Sequence, residues 1–194
     1  MFSDDQVRQA QRLAEVVHRH QVRDHGVPYI EHPQTVVHWL SVWQPHRKDL
    51  HIVGWLHDTL EDGDNPDVIA QQIQQLFGSE ILHHVQKLTK PWVAYPARYP
   101  RVPPQSVIEA YWDQLVAAPP INLVKWADRL SNLNDLSHAS PDKQRRYAMR
   151  TWRDFFQRTW VGIPADVSHQ VYHALQPFLV SGTASHNAKG VSDR

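Results

Sequence analysis

The chain has 194 residues, and its 20 Lys and Arg balance its 20 Asp and Glu. No net field therefore draws it to nucleic acid or to a membrane surface, and an anionic ligand has to meet a local cluster of cations. It contains no cysteine, which excludes disulfides, thiol catalysis and Cys-ligated zinc and leaves imidazole and carboxylate as metal ligands.

No apolar run approaches the ~18 residues of a membrane helix, and residues 1–20 lack the apolar core of a secretory signal, so a cytoplasmic protein with no membrane partner is expected. The length suits one domain. Ser3-Asp4-Asp5-Gln6 reads as a capping box. Val7, Ala10, Leu13, Ala14 and Val17 then recur at helical spacing, which predicts a helix to about His20. Gly26, Pro28 and Pro33 make residues 21–33 a loop. His32 is expected to be extended before Pro33, with Pro33 opening a helix that runs to Trp43. His32 reads either as a cap of that helix or as a ligand held at its entrance.

After Pro45 a helix is expected over residues 48–61. It carries the apolar run Ile52-Val53-Gly54-Trp55-Leu56 and then His57-Asp58-Thr59-Leu60-Glu61-Asp62. At about 100° per residue, His57, Asp58, Glu61 and Asp62 lie within about 140° of one another, opposite Ile52, Val53, Leu56 and Leu60. Gly54, one turn before Asp58, leaves room for a cation or a crossing helix. Carboxylates buried together take up protons unless a cation keeps them ionised. The stretch is thus either a metal site or a solvated acidic helix end at the 62–66 turn.

Asn65-Pro66 opens a helix ending at Gly78, and Ser79 starts another through Leu88. His18, His20, His83, His84, His169 and His173 read as structural. The Pro-rich residues 91–104, with Trp92, Tyr95, Arg98, Tyr99 and Arg101, are either a loop packed by its aromatics or a lid. A helix follows from about Val107 to Pro119. In the next, from Ile121 to about Leu136, Lys125, Asp128, Arg129 and Asn132 share a stripe of about 100° opposite Leu123, Trp126, Ala127, Leu130 and Leu133. That stripe is either an exposed charged face or a metal ligand flanked by phosphate-binding groups. Ser140-Pro141 opens a helix bearing Tyr147, Trp152, Phe155, Phe156 and Trp160, and a last helix spans about Pro164–Leu179, disturbed at Pro177. Residues 181–194 have little to bury and are expected to be a disordered tail. With no strand alternation and no glycine-rich phosphate loop, the chain reads as an all-α helical bundle whose domain covers residues 1–180.

His32, His57-Asp58 and Asp128 together reproduce the pattern of the HD-domain metal-dependent phosphohydrolases. Gln21-x-Arg23, Gly26-x-Pro28-Tyr29-Ile30-x-His32-Pro33, Leu56-His57-Asp58-Thr59-x-Glu61-Asp62, Phe77-Gly78, Leu88-Thr89-Lys90 and Val124-Lys125-x-Ala127-Asp128-Arg129-Leu130-x-Asn132 resemble the hydrolase domain of the RelA/SpoT family, in the form of its single-domain small alarmone hydrolases. The resemblance covers about residues 10–160.

It implies an HD-domain fold, a bound Mn²⁺ and removal of the 3′-pyrophosphate from (p)ppGpp. His32, His57, Asp58 and Asp128 match the metal ligands, a set suited to an octahedral, borderline-hard ion. Glu61 and Asp62 match the catalytic pair, one turn on, where they can orient and deprotonate the attacking water. Arg23 matches a base contact and Asn132 a sugar contact, while Lys125 and Arg129 lie beside phosphates or structural carboxylates. His20, Asp24, Trp126 and Ser131 depart from the family pattern. The altered base-contacting loop leaves guanine and adenine alarmones both open. The competing readings are another HD nucleotide phosphatase and a non-catalytic nucleotide sensor, and the Glu61-Asp62 pair favours the hydrolase over the sensor. The implied partner is a small nucleotide; monomer and homo-oligomer are both compatible with the sequence.

Overall fold

The computed structural model describes residues 2–99 and 103–180. The predicted tail, and Pro100 and Arg101 of the Pro-rich stretch, lie outside them. The described residues are α-helical and contain no strand beyond one isolated bridge between Val22 and Pro28. No helix among them is long and apolar enough to cross a membrane.

The helices begin and end where local chemistry requires. Ser3 caps α1 (Asp4–His18): its hydroxyl accepts from Gln6 N, and Gln6 Oε1 accepts from Ser3 N at 3.0 Å, which satisfies two of the donors left over at a helix start. Asn65 caps α5 (Pro66–Phe77), and Gly78, at φ 86°, turns the chain into α6 (Ser79–Leu88), a left-handed conformation that favours glycine. The short α7 (Pro91–Ala94) is followed by α8 (Gln105–Val116). The Pro-rich stretch packs by its aromatics, with Trp92 edge-on to Tyr111 and Arg98 over the Tyr95 ring.

Three elements form the centre: α2 (Glu31–Trp43), α3 (Lys48–Leu56) and α9 (Asn122–Asp135). α2 packs on both others, α1 covers α3, and α11 (Ala165–Val180) covers α9. Gly54 is where α3 meets α2. A Cβ there would lie 2.7 Å from Leu40 Cδ1 and 3.0 Å from Val37 Cγ2, so the missing side chain admits the crossing helix rather than a cation. On the other side Trp112, Trp126, Phe155 and Trp160 form an aromatic block with mostly edge-to-face contacts, the arrangement favoured by the ring quadrupole.

The sequence-based expectations need correcting at four places. The helix expected over 48–61 is two helices, α3 and α4 (Thr59–Asp62), because side-chain donors replace backbone ones at the junction. His57 Nδ1 donates to Gly54 O at 2.8 Å and Thr59 Oγ1 to Leu56 O at 2.7 Å, the local competition that ends helices. His32 is not extended before a helix but lies in the first turn of α2. The Pro28–Tyr29 turn feeds α2 directly, through Glu31 N to Pro28 O and His32 N to Tyr29 O. Pro33 is tolerated there because first-turn N–H groups have no intrahelical partner. α1 stops at His18 rather than His20. The helix after Ser140 is α10 (Pro141–Thr151), followed by one π-helical turn over Trp152–Phe156, with Trp160 beyond it; α11 continues through Pro177.

Gly63 ends α4 immediately after Asp62, and a Cβ on it would sit 2.6 Å from the Thr59 carbonyl oxygen and 2.2 Å from Ile69 Cδ1. Backbone cannot give way as a side-chain tip can. Gly63→Ala is expected to destabilise the protein by about 1–3 kcal/mol, the usual range for overpacking, measured by urea denaturation.

Candidate metal and anion site

The three central elements converge on one buried point. The first turn of α2 supplies His32, the α3–α4 junction supplies His57 and Asp58, and the middle of α9 supplies Asp128. His32 Nε2 is 3.3 Å from His57 Nε2, 3.4 Å from Asp58 Oδ2 and 3.3 Å from Asp128 Oδ1. His57 Nε2 is 3.0 Å from Asp58 Oδ2. Both imidazoles are 2% exposed and Asp128 is 6% exposed, so solvent does little to separate these charges.

Each converging group is held from behind. Donation from His57 Nδ1 to Gly54 O turns the Nε2 lone pair inward in the neutral ring, and His32 Nδ1 is 2.9 Å from Ser131 Oγ, so the serine that departs from the family pattern orients a histidine. The Tyr29 hydroxyl donates to Asp58 Oδ2 at 2.8 Å. Its pKa is raised by burial and by the neighbouring Asp58 carboxylate, which keeps it a donor. Asp128 accepts from Lys125 Nζ at 2.7 Å and from Asn132 Nδ2 at 2.5 Å. Lys125, Asp128 and Arg129 are all buried, which rules out the exposed-face reading of the α9 stripe.

Burial alone would raise the Asp58 and Asp128 carboxyls. The imidazoles of His57 and His32 hold Asp58 well below the usual carboxylate range, and Lys125 does the same for Asp128. Burial lowers the pKa of His57, but Asp58 and Asp128 outweigh it and lift it to about 9. Asp62, on the rim, is pushed up to about 6 by burial and by the Asp58 charge, with Tyr29 opposing.

α4 aims Glu61 and Asp62 into a cavity of ≈ 460 Å³ whose wall also carries Lys90, Lys125, Arg129, Arg150 and Arg153. Glu61 accepts from Lys90 N at 2.6 Å and from Lys90 Nζ at 2.9 Å. Arg129 donates to Thr151 Oγ1 at 2.9 Å and lies over the Tyr147 ring. Arg23 stands outside this cavity. It donates to Asp135 Oδ2 at 2.6 Å and to Asn132 Oδ1 at 3.1 Å, and it lines a second recess of ≈ 190 Å³ that shares Tyr29, Asn132 and Tyr147 with the first.

Sequence reasoning gave no role to Tyr29, Lys90, Arg150 or Arg153. Tyr29 and Lys90 stood inside quoted motifs without a partner being evident, and the two arginines had no motif at all. His18, expected to be structural, is buried: it is 2% exposed and packs on Tyr29, with Nδ1 2.7 Å from Gln21 Oε1.

The donor set fits a divalent ion. Two inward imidazole nitrogens and the Asp128 carboxylate offer ligand atoms within 4.8 Å of one another, Asp58 Oδ2 borders both imidazoles, and the hydrogen-bonded groups behind them are the usual outer support of a metal site. Without an ion His57 carries the compensating charge below about pH 9, and metal binding requires its lone pair. Binding of a divalent ion near pH 7 is therefore expected to release about one proton, and this release should fade as pH passes 9. Calorimetric titration in buffers of different ionisation enthalpy reads the number directly.

A profile of the HD-domain family matches residues 10–157. Curated relatives include a guanosine-3′,5′-bis(diphosphate) 3′-pyrophosphohydrolase of Spiroplasma citri, 34% identical over 140 residues that are 72% of this chain and 18% of that protein. Another is the bifunctional (p)ppGpp synthase/hydrolase SpoT of Escherichia coli K12, 32% identical over 157 residues, 76% of this chain and 21% of that protein. The chain thus spans about a fifth of these relatives' length. A solved structure of a metazoan ortholog of SpoT, described as hydrolysing ppGpp, superposes with a TM-score of 0.73 at 19% identity, covering 91% of this chain and 97% of that one, which shows the shared fold. With this profile across residues 10–157, the chain belongs to the HD-domain family, whose members bind divalent metal.

Proposed function

We propose that the protein is a metal-dependent pyrophosphohydrolase that removes the 3′-pyrophosphate from an alarmone nucleotide, (p)ppGpp or its adenine counterpart, with Mn²⁺ as its ion. The observation that carries this reading is that Glu61 and Asp62 line one cavity with Asp58 and Asp128 of the four-ligand cluster and with five cations. Names of relatives with the same chemistry support it.

His32, His57, Asp58 and Asp128 hold the ion. When bound, it polarises a phosphoryl oxygen and lowers the pKa of water. The chain's own groups do the rest. Asp62, which faces the same cavity, takes a proton from the attacking water as general base. Glu61, fixed by Lys90, orients that water. Lys90, Lys125, Arg129, Arg150 and Arg153 meet the charge of the pyrophosphate groups. The nucleoside occupies the adjoining recess, with the base against Arg23 and the ribose at Asn132. This arrangement turns the 3′ side toward the cluster.

Asp128→Asn is expected to lose both bound Mn²⁺ and activity; stoichiometric Mn²⁺ in that variant, by elemental analysis, counts against the ligand assignment. Asp62→Asn should keep metal and nucleotide while turnover falls by ~10²-fold or more, the scale of a general-base contribution. The products fix the orientation. From ppGpp or ppApp, chromatography should find pyrophosphate and the nucleoside 5′-diphosphate, with GTP essentially untouched. Orthophosphate released from GTP at a comparable rate would instead support a general nucleotide phosphatase.

A further inference from the structure

A second cluster of ligand-type side chains lies at the edge of the fold, sharing no residue with the buried one. His25 sits at the tip of the 21–28 loop. Asp135 is the last residue of α9, and His138 ends the 3₁₀ turn Leu136–His138 that follows it. His25 Nδ1 is 3.2 Å from Asp135 Oδ1, and the two imidazoles stack with centroids 4.4 Å apart and planes at 22°. One ligand atom from each residue lies within 4.8 Å of the other two.

From these positions we propose that His25, Asp135 and His138 form a second divalent-cation site, of Zn²⁺ type, that ties the 21–28 loop to the end of α9. Ligand atoms held about 2.0–2.2 Å from an ion stand roughly 3–4 Å apart. The His25–Asp135 pair already meets that spacing. The stacked rings hold their in-plane lone pairs nearly parallel, and His138 is exposed, so its ring is free to rotate out of the stack and turn its lone pair toward the ion. Two imidazoles with one carboxylate suit zinc better than magnesium or calcium, which prefer all-oxygen surroundings, and three protein ligands leave a fourth position open.

Two further features make this more than a chance meeting of surface side chains. Asp135 is anchored: Arg23 Nε donates to its Oδ2 at 2.6 Å, which leaves Oδ1 directed at His25, the kind of outer-shell bond that orients a ligating carboxylate. His25 is also presented by a defined turn. Gly26 adopts φ 84°, Gly26 N donates to Arg23 O at 2.9 Å, and Arg23 N donates to Val27 O at 2.9 Å. The loop and the helix end therefore offer the ligands from fixed backbone, and an ion between them closes the loop onto α9 beside Arg23.

The test uses the full chain stripped of metal, dialysed to equilibrium against micromolar Zn²⁺ and measured by elemental analysis, with circular dichroism confirming that each variant is folded. His25→Ala and His138→Ala are each expected to bind one Zn²⁺ fewer per chain than the parent. Asp128→Asn, altered only at the buried cluster, should retain the ion that those variants lose. His169→Ala, a histidine on α11, should match the parent. Equal stoichiometry in the parent and His138→Ala overturns the site. So does an equal loss in His169→Ala, which would assign the extra ion to surface histidines in general. Because Zn²⁺ alone is the probe and binding the readout, failure here leaves the hydrolase reading standing, and failure of that reading leaves this site intact.

Discussion

The structure depends on keeping ionised carboxylates inside an apolar bundle. Desolvating a carboxylate costs several kcal/mol even after relaxation, and Asp128 is buried while Asp58 keeps only 17% of its side chain exposed. Cations drawn up on two sides compensate instead: Lys125 at 2.7 Å from Asp128, and the imidazoles of His57 and His32 against Asp58. Loss of one partner from such a group is generally worth about 3–5 kcal/mol, since it strands the other. α9 is shaped by this need. It is buried along nearly its whole length, with an apolar side against the aromatic block and α11, and a charged side whose Lys125, Asp128 and Arg129 are buried facing the cavity.

Convergence of three helices at one point follows from small local devices. Gly54 lets α3 approach α2 without a Cβ between them. His57, three residues on, uses the carbonyl of that same Gly54 to fix its ring. A single residue thus sets the helix crossing and orients a ligand. The break after Leu56 then redirects the chain so that α4 points Glu61 and Asp62 at the cavity. A continuous helix would have placed both on the same cylinder as the ligands.

Much of this could be read from the chain itself. Helix periodicity, caps and proline positions located nearly every element, and the resemblance of His32, His57-Asp58 and Asp128 to the HD-domain pattern singled out the residues that the fold brings together. What could not be read were interactions over long sequence separations. Lys90 meets Glu61 across 29 residues, and Ser131 meets His32 across 99; neither periodicity nor composition carries such pairings. The α9 stripe illustrates the same limit. An amphipathic pattern tells that two faces differ, but a charged face buried against a cavity and one bathed in water have the same periodicity. The break at His57-Asp58 was hidden for another reason, because it is made by side-chain donors that a propensity scale treats as ordinary helix residues.

Glu61 and Asp62 show how neighbours of like chemistry are made unlike. Both leave the four-residue α4 toward one cavity. Glu61 turns to Lys90, whose backbone N–H and ammonium both donate to it, so its carboxylate is positioned by two bonds from one residue. Among the described residues no Lys or Arg forms an ion pair with Asp62. It faces the Asp58 charge in a partly dry setting, and its pKa rises to about 6. Pairs of acids whose environments drive them apart in this way are the usual mark of divided roles in proton transfer. Here the division is set outside the pair, by Lys90 entering from the turn before α7 and by Asp58 at the α3–α4 junction, so the chemistry available at α4 is fixed by where the chain places a lysine 29 residues downstream.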